Sequence, residues 1–169
     1  MTGPVFIRLA RAGDAPRLVG VEASAGELFR TLPDLAWIAD EPLGEPEDFL
    51  DLIAAGTVWV AEDRAAGVIG ELRGEIVNDV LHIVELAVAP DFQLRGLGRR
   101  LIDAARDLAR ARGLAALTLT TFRHVAWNAP FYARYGFVEL TAPDARLSDI
   151  VRAEDARGLP NRCAMRLSF

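Results

Sequence analysis

The run Pro90-Asp91-Phe92-Gln93-Leu94-Arg95-Gly96-Leu97-Gly98-Arg99 joins an apolar strand to the most regular helix of the chain. A helix N-terminus leaves backbone N–H groups unpaired and carries a positive partial charge, so an anion placed there satisfies both. Gly96 and Gly98 have no side chains, which lets a diphosphate approach the backbone, and Arg95, Arg99 and Arg100 add positive charge nearby. On glycine content alone the run also reads as an ordinary strand-to-helix turn. Just upstream, Glu85 stands in the apolar stretch Leu81–Val88, on one face with Leu81, Ile83 and Ala87. A carboxylate there is costly unless paired or hydrated, and such burial raises its pKa toward the range that suits taking a proton from an ammonium. An ion pair with a neighbouring arginine is the alternative for Glu85. His124 and Cys163 carry less weight, as a lone loop histidine and a lone cysteine of packing size.

These groups need a scaffold, and the hydrophobic pattern describes one. Val5–Leu9 reads as a strand. Asp14 reads as the N-cap of a helix that has Pro16 in its first turn and runs toward Ser24. Pro33, Pro42 and Pro46 interrupt Gly26–Pro46, which reads as irregular, and Glu47–Ala55 is helical up to Gly56. Thr57–Glu62 and Val68–Ile76 are strands joined by a turn that includes Gly67, and Asn78-Asp79 turns the chain into Leu81–Val88. In the helix Gly98–Arg112, the residues Leu97, Leu101, Ala105 and Leu108 recur at helical spacing, and Gly113 stops it. Ala116–Thr121 is a strand, Ala129–Tyr135 a short helix, Phe137–Leu140 a strand, Arg146–Ala156 a helix and Arg162–Leu167 a closing strand. Strands mixed with helices, including an antiparallel hairpin, imply a single α/β (α+β mixed) domain over residues 1–169, its sheet covered by helices.

With 169 residues, 51% of them hydrophobic and 25% charged, the chain is of single-domain length and globular composition. Its net charge of −5 argues against a nucleic-acid partner, which needs a clustered basic face. All 19 basic residues are arginine, so the chain has no lysine amine of its own. One cysteine excludes an intrachain disulfide, and with only two histidines, His82 and His124, no metal site is expected. The absence of a basic-then-apolar leader and of an apolar run of spanning length predicts a cytoplasmic protein with no membrane partner.

The loop resembles the signature of the GNAT superfamily of N-acetyltransferases: Gln or Arg, two residues, Gly, one residue, then Gly or Ala. Gln93, Gly96 and Gly98 supply it after the strand ending Leu86-Ala87-Val88-Ala89-Pro90. A second family element, Asn128-Ala129-Pro130-Phe131-Tyr132-Ala133-Arg134-Tyr135-Gly136-Phe137, follows at a suitable distance, and together they cover roughly Ile83 to Leu140. The resemblance implies a twisted, mixed, mostly antiparallel sheet of six or seven strands, with a V-shaped notch between Leu81–Val88 and Ala116–Thr121. It implies acetyl-CoA as co-substrate, with its pyrophosphate on the backbone N–H groups of Gln93, Leu94, Arg95, Gly96, Leu97, Gly98 and Arg99. The pantetheine arm would lie beside Leu86, Ala87 and Val88, since an amide-bearing arm extends an open strand edge. Asn128 is implied as a further contact to CoA, and is also placed as a helix N-cap. Tyr132, four residues before Gly136, is implied as a CoA contact and as the general acid for the leaving thiolate, which a phenol protonated at neutral pH suits; packing in an aromatic helix is the alternative. The family often carries a glutamate on this strand, which makes Glu85 the base candidate, and the N–H of Leu86 or Ala87 would hold the oxyanion.

The implied reaction is direct transfer of an acetyl group to an amine, without a metal or an acyl-enzyme. The acceptor is a small-molecule or protein amine, and Glu27, Arg30, Asp34, Trp37, Asp40 and Glu41 lie where the family builds its acceptor site. Thr141–Asn161 exceeds a minimal connection and reads as a substrate lid or a homodimer contact. A non-catalytic acyl-CoA sensor on the same fold is the alternative function. A Rossmann reading fails, because Gln93–Gly98 is not a G-x-G-x-x-G run.

Overall fold

The computed structural model describes residues Gly3–Phe169. Its strands are β1 (Val5–Leu9), β2 (Val58–Asp63), β3 (Gly67–Val77), β4 (Val80–Val88), β5 (Ala116–Phe122), β6 (Val138–Glu139) and β7 (Arg162–Ser168). Its helices are α1 (Ala15–Gly26), α2 (Leu50–Ala54), α3 (Leu97–Ala111), α4 (Ala129–Tyr135) and α5 (Ala145–Ala156). The strands hydrogen-bond in the order β1-β2-β3-β4-β5-β7-β6, a seven-stranded, mostly antiparallel sheet with helices around it. By contacts the chain forms two compact units, one running to Glu75 and taking in Glu85–Asp107, the other comprising Ile76–Val84 and Leu108–Phe169.

In the first unit β1, β2 and β3 form an antiparallel meander with a bulge between Ala61 and Glu62. Ala15, Leu18 and Val21 of α1 are buried, and they form a core with Phe49, Val58, Val60, Val68 and Ala87. Asp14 does not cap α1 with its side chain, contrary to expectation. It sits in helical backbone itself, φ −80° and ψ −21°, and its carboxylate closes the preceding turn by accepting from the Arg11 N–H at 2.7 Å. Arg8, also at 2.7 Å, holds that carboxyl below its ordinary range. Residues 26–46 are more regular than the prolines suggested. Glu27–Thr31 and Pro33–Asp40 are 3-10 helices, and Pro33 stands at the start of the second, where its missing N–H costs nothing. Pro46 likewise opens a 3-10 turn, Pro46–Phe49, so the α-helix after it is only Leu50–Ala54.

In the second unit β4 and β5 pair in parallel from Val80↔Ala116 to Ile83↔Leu119, and β5 pairs antiparallel with β7 from Ala116↔Ser168 to Phe122↔Arg162. The strand expected at Phe137–Leu140 is shorter, because the Phe137 N–H closes α4 by donating to the Tyr132 carbonyl at 3.0 Å. Glu154 of α5 bridges Thr120 at 2.8 Å and Arg162 at 2.8 Å, which fastens the helix within Thr141–Asn161 to β5 and β7. The apolar stripe of α3 is Leu97, Leu101, Ile102, Ala105 and Ala109, with Leu108 only half-buried. Among the described residues no helix is long and apolar enough to cross a membrane, and no group of three His, Cys, Asp or Glu is placed to hold a metal.

Candidate active site

The link from β4 to α3 is a shaped loop. The Gln93 amide donates to the Val88 carbonyl at 2.8 Å, tying the loop back to the strand it leaves. Leu94 (φ +60°) and Gly96 (φ +76°) are both left-handed. A Cβ at Gly96 would meet nothing within 4 Å, so the backbone angle rather than packing calls for glycine there. Leu94 is fully exposed. The first bond within α3 runs from the Arg100 N–H to the Gly96 carbonyl at 3.1 Å, which leaves the N–H groups of Leu97, Gly98 and Arg99 ahead of it. Arg95 donates to the Asp91 carbonyl at 2.7 Å and lies over the Phe92 ring at 5.2 Å. Arg100, expected to add charge to the loop, donates instead to the Val5 carbonyl at 2.8 Å.

Glu85 is half-buried, and one of its oxygens accepts from the Leu86 N–H at 3.1 Å. The Ala89 N–H donates to the Ile69 carbonyl of β3 at 2.8 Å, and the Ala87 carbonyl lies 3.3 Å from where a Gly70 Cβ would stand. Alternation along the strand therefore turns the N–H of Ala87 toward β3 and that of Leu86 away from it. Of the two expected oxyanion donors, Leu86 is the one directed away from the meander.

The most perturbed carboxyl is Glu71 of β3, which sequence reading missed. It is 0% exposed, and neither oxygen has a hydrogen bond among the described residues. Burial is the main cause that pushes it up to about 8; Arg73 pulls it down, and Glu85 and Glu22 push it further up. The Arg73 Nε comes within 3.2 Å of Glu71 without the alignment of a hydrogen bond. Its Nη2 pairs with Glu22 at 3.1 Å, and the guanidinium lies over Phe49 at 4.5 Å. The signal was present: Val68-Ile69-Gly70-Glu71-Leu72 is an apolar run with one glutamate, as is the stretch around Glu85. In the same unit Arg30 bridges Glu27 and Asp40, both at 2.7 Å, so three of the six residues expected near an acceptor are engaged with one another.

In the second unit Asn128 precedes α4 but makes no side-chain cap. Its Oδ1 accepts from the Thr121 hydroxyl at 2.8 Å and the Phe122 N–H at 3.4 Å, which pins the end of β5 to the start of α4. The Asn128 carbonyl accepts the Tyr132 N–H at 3.1 Å, one turn on. Tyr132 is 9% exposed and edge-on to Phe131 (5.2 Å) and Phe137 (5.6 Å). Gly136, at φ +126°, lets the chain leave α4. His82 lies 3.0 Å from the Thr118 hydroxyl; burial first and then Arg146 push it down to about 4, so it is neutral near pH 7. Cys163 is buried and pushed up by desolvation, which makes it a packing residue. The structure thus groups Glu85 and the loop through Arg99 in one unit, and Asn128 with Tyr132 in the other.

Over 67 residues the chain is 37% identical to the ribosomal protein bS18-alanine N-acetyltransferase of Salmonella typhimurium, and 36% to that of Escherichia coli K12. Each match takes in 40% of this chain and 45% of the relative, so the chain covers less than half the length of these curated relatives. The PaiA N-acetyltransferase of Thermoplasma acidophilum, solved with coenzyme A, shares the fold at a TM-score of 0.74, covering 98% of this chain and 99% of its own at 16% identity. The E. coli ribosomal-protein-S18-alanine N-acetyltransferase does so at 0.69, over 98% and 94% at 20% identity. The family model of the acetyltransferase (GNAT) domain matches residues 54–139, which hold β2 to β6 with the loop, Glu71, Glu85, Asn128 and Tyr132. The chain belongs to the GNAT family of acetyltransferases.

Proposed function

We propose that this protein is an N-acetyltransferase that moves the acetyl group of acetyl-CoA directly to a primary amine, and that its acceptor class is the amine at the N-terminus of a protein. The observation that carries the first part is the loop after β4. Two left-handed residues bend it, and three N–H groups precede the first internal bond of a 15-residue helix, a fit for a diphosphate. Gln93 to Arg99 hold the pyrophosphate, Leu86, Ala87 and Val88 lie along the pantetheine arm, and Asn128 contributes a further contact. Glu85 takes a proton from the acceptor ammonium, directly or through water. The Leu86 N–H steadies the developing oxyanion, for which Glu85 must release it. The Tyr132 hydroxyl gives its proton to the leaving thiolate. The second part is supported by the two relatives named for alanine acetylation, at 37% and 36% identity over their matched segments.

The test is a panel of amines with acetyl-CoA, followed by release of free thiol: alanine-initiated peptides, peptides with other first residues, and free polyamines. Preferential turnover of the alanine-initiated peptides is the expected result. Turnover of polyamines alone overturns the acceptor class. Binding of CoA without acetylation of any amine makes the protein a sensor instead.

A further inference from the structure

We propose that Thr121 is a positioning residue for acetyl transfer: its hydroxyl decides which end of the Asn128 amide is presented to the cofactor, and it holds the start of the helix that carries Tyr132. The proposal rests on the acetyltransferase reading above. Its ground is the end of β5. The pairing of β4 with β5 stops at Ile83↔Leu119, so Thr120 and Thr121 stand just past the last rung shared with β4. Neighbouring residues of a strand point to opposite faces, and here each threonine fastens a helix. Thr120 donates to Glu154 of α5 at 2.8 Å. Thr121, only 3% exposed, donates to the Asn128 Oδ1 at 2.8 Å, seven residues on and at the start of α4.

The sense of that bond is fixed by chemistry. An asparagine amide has an acceptor oxygen at one end and two N–H donors at the other. The Phe122 N–H, which can only donate, is directed at the same Oδ1 at 3.4 Å. The oxygen therefore faces β5, the Thr121 hydroxyl must donate to it, and the NH2 end is turned away. A flipped amide would set donor against donor at Phe122. The NH2 end pairs only with an acceptor, and on the pantetheine arm that means an amide carbonyl rather than an amide N–H. The backbone carries the constraint on to Tyr132, because the Asn128 carbonyl accepts the N–H groups of Phe131 at 2.8 Å and Tyr132 at 3.1 Å. A displaced Asn128 displaces the first turn of α4 with it. Thr121 is buried and acts through Asn128, without touching either substrate.

The chain holds three asparagines and one glutamine, so its side-chain amide spectrum is sparse, and Asn128→Asp assigns the Asn128 pair. In ¹⁵N NMR of the parent, CoA should shift that pair. In Thr121→Val, which removes the hydroxyl and keeps the shape, the pair should move before any CoA is added. With an alanine-initiated peptide as acceptor, Thr121→Val should raise the KM for acetyl-CoA about three- to tenfold, the scale of one lost hydrogen bond, and lower kcat by a similar factor. Thr121→Ser, which keeps the donor, should restore both to within about twofold. With Asn128→Ala in place, Thr121→Val should change the KM no further, whereas a purely structural role lowers Tm and turnover equally in both backgrounds. If the Val variant does not fold, Thr121→Cys, a weaker donor, takes its place in each measurement. An Asn128 pair unmoved in Thr121→Val, a folded Thr121→Ser with the full defect, or additive effects with Asn128→Ala overturns the proposal while acetyl transfer stands. A parent in which CoA shifts the pair but no amine is acetylated overturns the acetyltransferase reading, and the role of Thr121 with it.

Discussion

Glu71→Gln tests the buried carboxyl without any substrate, through stability. Burial lifts this group from its ordinary 4.5 to about 8 in the folded protein. A carboxyl raised on folding contributes stability that is complete below its unfolded pKa and is lost as pH rises through the folded one. Between about pH 6.5 and 8.5 the unfolded chain is fully ionised at this position, while the folded protein passes from mostly protonated to mostly ionised. Integrating over that window gives a loss of about 2 kcal/mol from one group. For a chain of this size that corresponds to a fall in Tm of about 4–8 °C. His82 does not contribute there, because its lowered pKa acts below that window. Glutamine matches the neutral acid in shape and cannot ionise. The variant should therefore resemble the parent near pH 6.5 and be the more stable of the two near pH 8.5, by about 2 kcal/mol. Scanning calorimetry or circular dichroism at a series of pH values measures this. Parallel Tm-against-pH curves for parent and variant would refute the reasoning.

Three further outcomes test the substrate sites. CoA should bind in the micromolar range, about −8 kcal/mol, and Gly96→Val, which forces a branched side chain into φ +76°, should weaken calorimetric binding at least about tenfold; unchanged affinity removes the loop from the site. Tyr132→Phe should lower turnover by about 10²–10⁴ and leave CoA affinity within a few fold, while an equal loss of both recasts Tyr132 as a packing residue in its aromatic cluster. Glu85→Gln should lose turnover chiefly below the pH at which the acceptor deprotonates unaided, and a profile superimposable on the parent's takes Glu85 out of proton transfer.

The place of the loop, between an apolar strand and a regular helix, was legible because its signals are local. Gln93, Gly96 and Gly98 belong to one short run, and a left-handed backbone at Gly96 is a property of residue type. Helix α4 was legible to the residue for the same reason, with Pro130 in its first turn and Gly136 at its end. What escaped depends on partners far along the chain. Asp14 looks like a cap until Arg8 of β1 is found to claim its carboxylate. Arg100 looks like a phosphate ligand until the Val5 carbonyl, 95 residues away, is found within its reach. Glu71 and Glu85 present the same pattern, a glutamate in an apolar strand. Periodicity does not say which is the more deeply buried; pairing bears on it, since Glu71 lies opposite Val60 of β2 whereas the pairing of β4 with β5 ends at Ile83. The fully buried partner is the one that sequence passed over.

The first unit carries two opposed electrostatic features in sequence proximity, a cationic helix start and an excess of carboxylates. Both belong to the stretch from Glu85 through Arg99 and the β3 residues beside it. Three strand steps separate Glu85 from Val88, about 10 Å at the rise of a β-strand. That is close to the Debye length at physiological salt, so neither field cancels the other at an exposed ligand. A diphosphate is attracted to the N-terminus of α3 and repelled from the glutamates, and an ammonium feels the reverse. On the proposed reaction, strand β4 would separate an anionic donor from a cationic acceptor by charge. That separation would depend on two glutamates and on one glycine turn, held apart by a run of small apolar residues, Leu86 to Ala89, that fills the strand without adding charge.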